Sequence, residues 1–206
     1  MSNKISVDKD SYEFLKTIYF GVSNDPFEAA SNRAYRDFCR TLLLSDIETD
    51  KRYDLRRKVT DILRSRITEI NRITSVTKHE FDEWHKETCL LIQQAYTEMN
   101  IDLTIGQAQK WLNMTIKYLF VLGDCDFKAT FNYLHIPIDN YIIQIAKREF
   151  DIPVPKDKWS TWTDYDLQYM NYQNRLLSKI KGVEPLRWEL IHWLKEARNR
   201  QMYAKP

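Results

Sequence analysis

Apolar residues recur at spacings of three and four along most of the chain and seldom alternate with polar ones, so the pattern predicts helices. Phe14, Leu15, Ile18 and Tyr19 share one face of a helix over Ser11–Phe20, which Gly21 stops. Asp25-Pro26 then supplies a cap and a first-turn proline for a helix running from Phe27 to Leu44. Leu55, Val59, Ile62, Leu63, Ile67 and Ile70 form the stripe of a long helix over Tyr53–Ile73, after a polar break at Ser45–Lys51. Thr77-Lys-His-Glu80 has the form of a capping box and opens a helix that runs to Met99. A helix from Gln107 to Leu122 breaks at Gly123, and another covers Asn140–Phe150. Two more are predicted, from Asp166 to Ile180 and from Leu186 to Gln201, behind a proline-bounded aromatic loop at Pro153–Tyr165.

The expected fold is therefore all-α, a single multi-helix domain over residues 1–206. It divides into a helical half (1–100), a central segment (101–155), and an aromatic loop with terminal helices (156–206). The chain holds only four Gly and six Pro, which fits a helical composition, and 206 residues can bury a sizeable core. Its formal charge of +2 identifies no nucleic-acid partner by itself, and leaves room for a local basic patch. Cys39, Cys89 and Cys125 are far apart and odd in number, which argues against a disulfide framework or a cysteine-built metal site, so no metal is expected. With no second histidine at i+4 and no cysteine cluster, His85 reads as structural. The polar N-terminus and the lack of a long apolar run predict no signal peptide and no membrane span; the expected location is cytoplasmic. Walker, dinucleotide-binding, HExxH and Ser-His-Asp signatures are absent, so no cofactor is expected.

Candidate chemistry centres on Gly106, Lys110 and Asp139. A glycine at a helix start lets a nucleic-acid backbone approach, and the amides there attract phosphate. A desolvated lysine one turn later can serve as an amine nucleophile, and a carboxylate at the next helix start can move protons or stabilise an oxocarbenium-like sugar. The same residues fit a plainer account, in which Lys110 and Lys117 share a solvated helix edge and Asp139 caps its helix.

This arrangement resembles the helix-hairpin-helix DNA glycosylases, particularly their 8-oxoguanine glycosylase branch. In that family the lysine lies four residues after the first hairpin glycine, as Lys110 follows Gly106, and the aspartate lies in an apolar-Pro-apolar-Asp segment, as in Ile136-Pro-Ile-Asp139. The resemblance spans Leu103–Pro155. Leu103-Thr-Ile-Gly106-Gln lacks the family's hairpin proline and second glycine, the connector is longer, and Asn140-Tyr141 replaces Thr-His. The resemblance implies a DNA partner, with RNA as the other nucleic acid open to such a surface, and base excision with Lys110 as nucleophile and Asp139 as acid or base. It implies phosphate contacts at Gly106, Gln107 and Lys117, joined by Arg56, Arg57 and Lys58 of the most basic helix. It also implies a flipped base held by Trp111, Trp159, Trp162, Tyr169 and Tyr172 and read by His135 or Gln173; core packing is the other use of those aromatics.

Two further patterns stay open. Arg33, Arg36 and Arg40 form a stripe that suits either a solvated face or a phosphate contact. Arg187-x4-His192 has the spacing of the HEPN ribonucleases, a resemblance that implies RNA cleavage by that pair. A helical binding module without chemistry is the third alternative.

Overall fold

The computed structural model describes residues 8–44 and 47–203. The polar stretch over residues 1–7, the start of the predicted break at 45–46 and the extreme C-terminus at 204–206 lie outside the described residues. Among the described residues the architecture is all-helical: α1 (Lys9–Phe20), α2 (Pro26–Phe38), α3 (Thr49–Arg72), α4 (Lys78–Thr97), α5 (Ile105–Leu122), α6 (Asn140–Phe150), α7 (Asn171–Leu177) and α8 (Pro185–Tyr203). Short 3₁₀ turns occupy Cys39–Thr41, Phe131–Tyr133 and Trp159–Thr161, and a π-helical turn covers Tyr165–Met170. Thus the helix predicted to run to Leu44 ends at Phe38, and the one predicted from Asp166 begins as the π turn. None of the described helices is long and apolar enough to cross a membrane.

The fold is built around α5. Every residue from Ile105 to Leu119 is buried, because α2, α4 and the Trp159–Thr161 turn pack around it. Helix α2 packs against it and buries a small-residue set, Ala29, Ala30 and Ala34, and Trp111 Nε1 of α5 donates to the Ser31 carbonyl at 3.1 Å. Helix α3 contributes the expected stripe of Leu55, Val59, Leu63, Ile67 and Ile70. The capping box of α4 forms as predicted, with the Thr77 amide donating to Glu80 Oε2 at 2.7 Å and the Glu80 amide to Thr77 Oγ1 at 3.2 Å.

A helix buried on all sides has no solvated face for its polar residues, so each must find a partner inside. Gln109 does so largely with backbone: its Nε2 donates to the Ile138 carbonyl at 3.0 Å, and its Oε1 accepts from the Ile138 amide at 3.2 Å as well as from Asn113 Nδ2 at 3.1 Å. This double bond pins the segment before α6 against α5 and fixes where Asp139 lies.

Gly106 permits the closest backbone contact. Its amide donates to the Trp162 carbonyl at 3.0 Å, and a Cβ built on it would stand 1.7 Å from the Trp159 carbonyl oxygen. Gly106→Ala must push that turn away, at a cost of about 2–3 kcal/mol or more. A lowered urea midpoint with an unchanged slope is expected; an unchanged midpoint would show that the turn yields freely.

The first helix departs from expectation. Phe14, Leu15 and Ile18 of α1 are exposed, and Phe20 is its buried residue. Their helical spacing is real, but the residues face away from α2, the element that α1 packs against.

Candidate functional site

Lys110 extends from the middle of α5 and donates to Asp139 Oδ2 at 2.6 Å. The two side chains are 5% and 16% exposed. Asp139 is also the N-cap of α6, where Oδ1 accepts from the Ile142 amide at 3.0 Å. One carboxylate oxygen therefore caps the helix and the other holds the lysine. The cap fixes the carboxylate's orientation, so the lysine meets a preoriented hydrogen-bond acceptor.

Both side chains open onto a cavity of about 410 Å³. Trp159, Tyr118, Tyr141 and Trp193 contribute aromatic surface to it, and Tyr19 and Phe20 close it from α1. Two turns along α5 from Lys110, Lys117 also lines the cavity and donates to Glu189 Oε1 of α8 at 2.8 Å. Its ammonium lies 5.3 Å from the centre of the Trp193 ring, within cation–π range. Burial pushes the Glu189 carboxyl up against the opposing pull of Lys117, and its Oε2 is buried without a hydrogen-bond partner among the described residues. On the α2 side Arg33 pairs with Asp37 at 3.2 Å and lies 4.1 Å over the Tyr19 ring, while the Tyr118 hydroxyl donates to Asp37 Oδ2 at 2.5 Å.

Of the residues expected at a site, the cavity gathers Lys110, Asp139, Lys117 and Trp159. Lys117, assigned by resemblance to phosphate, is instead the inner partner of Glu189. Gly106 and Gln107 are not open to a nucleic-acid backbone: the Trp162 carbonyl occupies the Gly106 amide, and the Gln107 side chain accepts from the Thr104 amide and donates to the Thr41 carbonyl. Trp111, Trp162, Tyr169, Tyr172 and Gln173 are core residues and do not line the cavity, since packing against their neighbours removes them from it. On α3, Arg57 pairs with Asp54, Lys58 with Glu98, and Arg56 lies over the rings of Tyr35 and Tyr53, so much of that helix's charge is engaged within the chain.

Arg187 and His192 do not meet within the chain. Arg187 lies over Phe120 and Phe131, whereas His192 stacks on Trp188 and places Nε2 3.2 Å from Glu149. The residues that periodicity did not reveal are Glu189, Tyr118, Asp37 and Trp193. Glu189 lies inside the Arg187–His192 motif, and a carboxylate on the last helix was the available signal for a partner to a buried lysine.

His135 is likewise withdrawn from the cavity and joins a buried polar network. Its Nε2 donates to Asp82 Oδ1 at 2.9 Å and its Nδ1 faces the Tyr169 hydroxyl at 3.0 Å. His85 Nε2 donates to Asn113 Oδ1 at 2.8 Å, its Nδ1 faces the Tyr165 hydroxyl at 2.8 Å, and the two imidazole rings are 4.3 Å apart. Burial pushes both histidines down, His85 the further, with its neighbour's charge adding to the effect. The folded state therefore binds fewer protons than the unfolded one, whose histidines titrate near about 6.5. Stability is full above that value and is lost as pH falls through it. A melting temperature that declines from pH 7.5 to 5.5, and declines less in His135→Gln, is expected; parallel curves for the two proteins would remove His135 from the effect.

Among the described residues no group of three or more His, Cys, Asp or Glu side chains is placed to hold a metal ion. Comparison of the chain with protein-family models, with curated proteins and with solved structures finds no match.

Proposed function

We propose that the cavity takes a modified nucleoside of a nucleic-acid strand, DNA in the first instance, and that Lys110 attacks its sugar as an amine nucleophile in a glycosylase and lyase reaction. The observation that carries this reading is the Lys110–Asp139 contact of 2.6 Å at the wall of an accessible, aromatic-lined cavity. A desolvated lysine beside an oriented carboxylate has what imine chemistry requires, namely an amine and a place for its proton. In the proposed step Lys110 passes a proton to Asp139 Oδ2 and Nζ bonds to the sugar C1′. The N-glycosidic bond breaks with its electron pair on the base, which takes up the proton held by Asp139 as it leaves. The C1′–O4′ bond then opens as a proton passes from Nζ to O4′, which leaves a protonated imine between Nζ and C1′. The aromatic walls replace the stacking that a flipped base gives up.

Borohydride tests this reading, because it reduces the imine to a stable amine. Incubating the protein with an oligonucleotide duplex carrying an abasic site should give a covalent adduct whose modified peptide contains Lys110. Its failure to form, with abasic or with oxidised-base substrates, would leave a helical binding module with a buried ion pair. No contact in the structure favours the Arg187–His192 ribonuclease.

A further inference from the structure

The arginine stripe of α2 acquires a separate use once the charges of the cavity are paired off. Arg33, Arg40, Lys110 and Lys117 line it; Arg33 has Asp37, Lys110 has Asp139 and Lys117 has Glu189. Arg40 has no carboxylate partner among the described residues and is exposed. The interior is thus charge-compensated, and one guanidinium is left at its edge. A ligand that complements this pattern carries its neutral, aromatic part inward and an anion outward.

A second exposed cation lies beside a turn tied to the same end of α5. The Cys39–Thr41 turn, which carries Arg40, is tied to α5 by Gln107 Nε2, which donates to the Thr41 carbonyl at 2.8 Å. The Trp159–Thr161 turn, which Lys158 precedes, is tied to the same end of α5 by the Thr104 hydroxyl, which donates to the Ser160 carbonyl at 2.9 Å. Thr104 and Gln107 are the two halves of the α5 capping box, so that single local motif holds both turns at one end of the helix. Lys158 is exposed and, among the described residues, has no carboxylate partner; the residue after it, Trp159, lines the cavity. Beyond it a groove of about 340 Å³ carries two more cations without a described carboxylate partner, Lys156 and Arg175, with Asp157 as the acidic residue between the two lysines.

We propose that Arg40 and Lys158 grip the phosphodiester backbone of a nucleic-acid strand across the mouth of the cavity, with Lys156 and Arg175 extending the track. The proposal rests on the reading that the cavity takes a nucleoside, and it names the surface that holds the strand. It also accounts for binding without a hairpin amide at Gly106, which the Trp162 carbonyl occupies. Arginine and lysine at a mouth favour phosphate through charge and need no base identity, so binding should be steeply salt-dependent.

The test compares the full chain, Arg40→Ala/Lys158→Ala and Arg57→Ala/Lys58→Ala by fluorescence anisotropy, with single-stranded and duplex oligonucleotides from 50 to 200 mM salt. Loss of two phosphate contacts should flatten the slope of log affinity against log salt by roughly two for duplex and weaken binding on the order of tenfold or more. The α3 variant should bind as the parent does. Both altered pairs are exposed, so an unchanged melting temperature is expected and separates lost contacts from lost fold. If the parent binds and the Arg40/Lys158 variant matches it in affinity and slope, this inference falls and the lysine chemistry stands. If binding depends on Arg40 and Lys158 but no borohydride adduct forms, the track stands and the lysine chemistry falls. A parent that binds no oligonucleotide, or binds a nucleoside monophosphate as tightly as a strand, overturns the strand-gripping role.

Discussion

Lys110→Gln is expected to reduce the borohydride-trapped adduct to background while leaving the fold intact. Glutamine keeps much of the side-chain length and offers an N–H to Asp139 Oδ2, but has no free electron pair on nitrogen with which to form an imine. The cap bond from the Ile142 amide to Asp139 Oδ1 does not involve Lys110, so α6 should start where it does now. Replacing a charge-assisted bond by a neutral one costs about 1–2 kcal/mol, which a domain of this size tolerates. Asp139→Asn gives the complementary result. It retains an oxygen able to cap and removes the proton acceptor, so adduct formation should slow by about 10²–10⁴-fold, the usual contribution of a positioned acid or base. Lys117 provides the internal control, since it is a second lysine on the same cavity wall. If Lys110→Gln still yields an adduct and the modified peptide contains Lys117, the nucleophile is misassigned.

The sequence expresses clearly those parts of this molecule that depend on near neighbours. Thr77 and Glu80 are three residues apart, and the cap they form needs nothing from the rest of the chain. Asp25-Pro26 and Gly123 mark helix ends for the same reason. The site is less legible because its partners are distant. Lys110 and Asp139 are 29 residues apart, and a family resemblance, with its lysine and aspartate segments, brought them together on paper. Lys117 and Glu189 are 72 apart with no such guide. The seven-residue spacing of the two lysines reads equally well as a solvated edge, and what decides against that reading is the packing of α2, α4 and the Trp159–Thr161 turn around α5, with Glu189 of α8 set against Lys117. Aromatics mislead in the same manner. Trp159 and Trp162, three residues apart, are both buried, yet Trp159 lines the cavity and Trp162 the neighbouring groove, a difference that their spacing does not express. His135 lies next to the aspartate segment and reads as a base contact, yet Asp82 and Tyr169 take both its ring nitrogens.

The second pair predicts an asymmetry in stability. Glu189→Leu leaves the Lys117 ammonium inside the protein without its counter-charge, and the expected loss is about 3–5 kcal/mol. Lys117→Met leaves a carboxyl that burial already pushes up, and without Lys117 to oppose that push the group takes up a proton at the pH where it costs least. Lys117→Met should therefore be the milder change, and its cost should depend on pH in a definite sense. A carboxyl whose folded pKa lies above its unfolded value of about 4.3 binds more protons in the folded state between the two, so stability falls as pH rises through that window and is highest below it. The double variant Lys117→Met/Glu189→Leu removes both charges and should recover much of the loss, far from the sum of the singles. Urea denaturation of the four proteins at pH 5 and pH 8 measures all three effects. If the singles add, the two groups are not coupled and Lys117 is hydrated through the cavity. That result would also mean that the wall holding Lys110 is wet, and the desolvation on which the proposed amine chemistry depends would be lost.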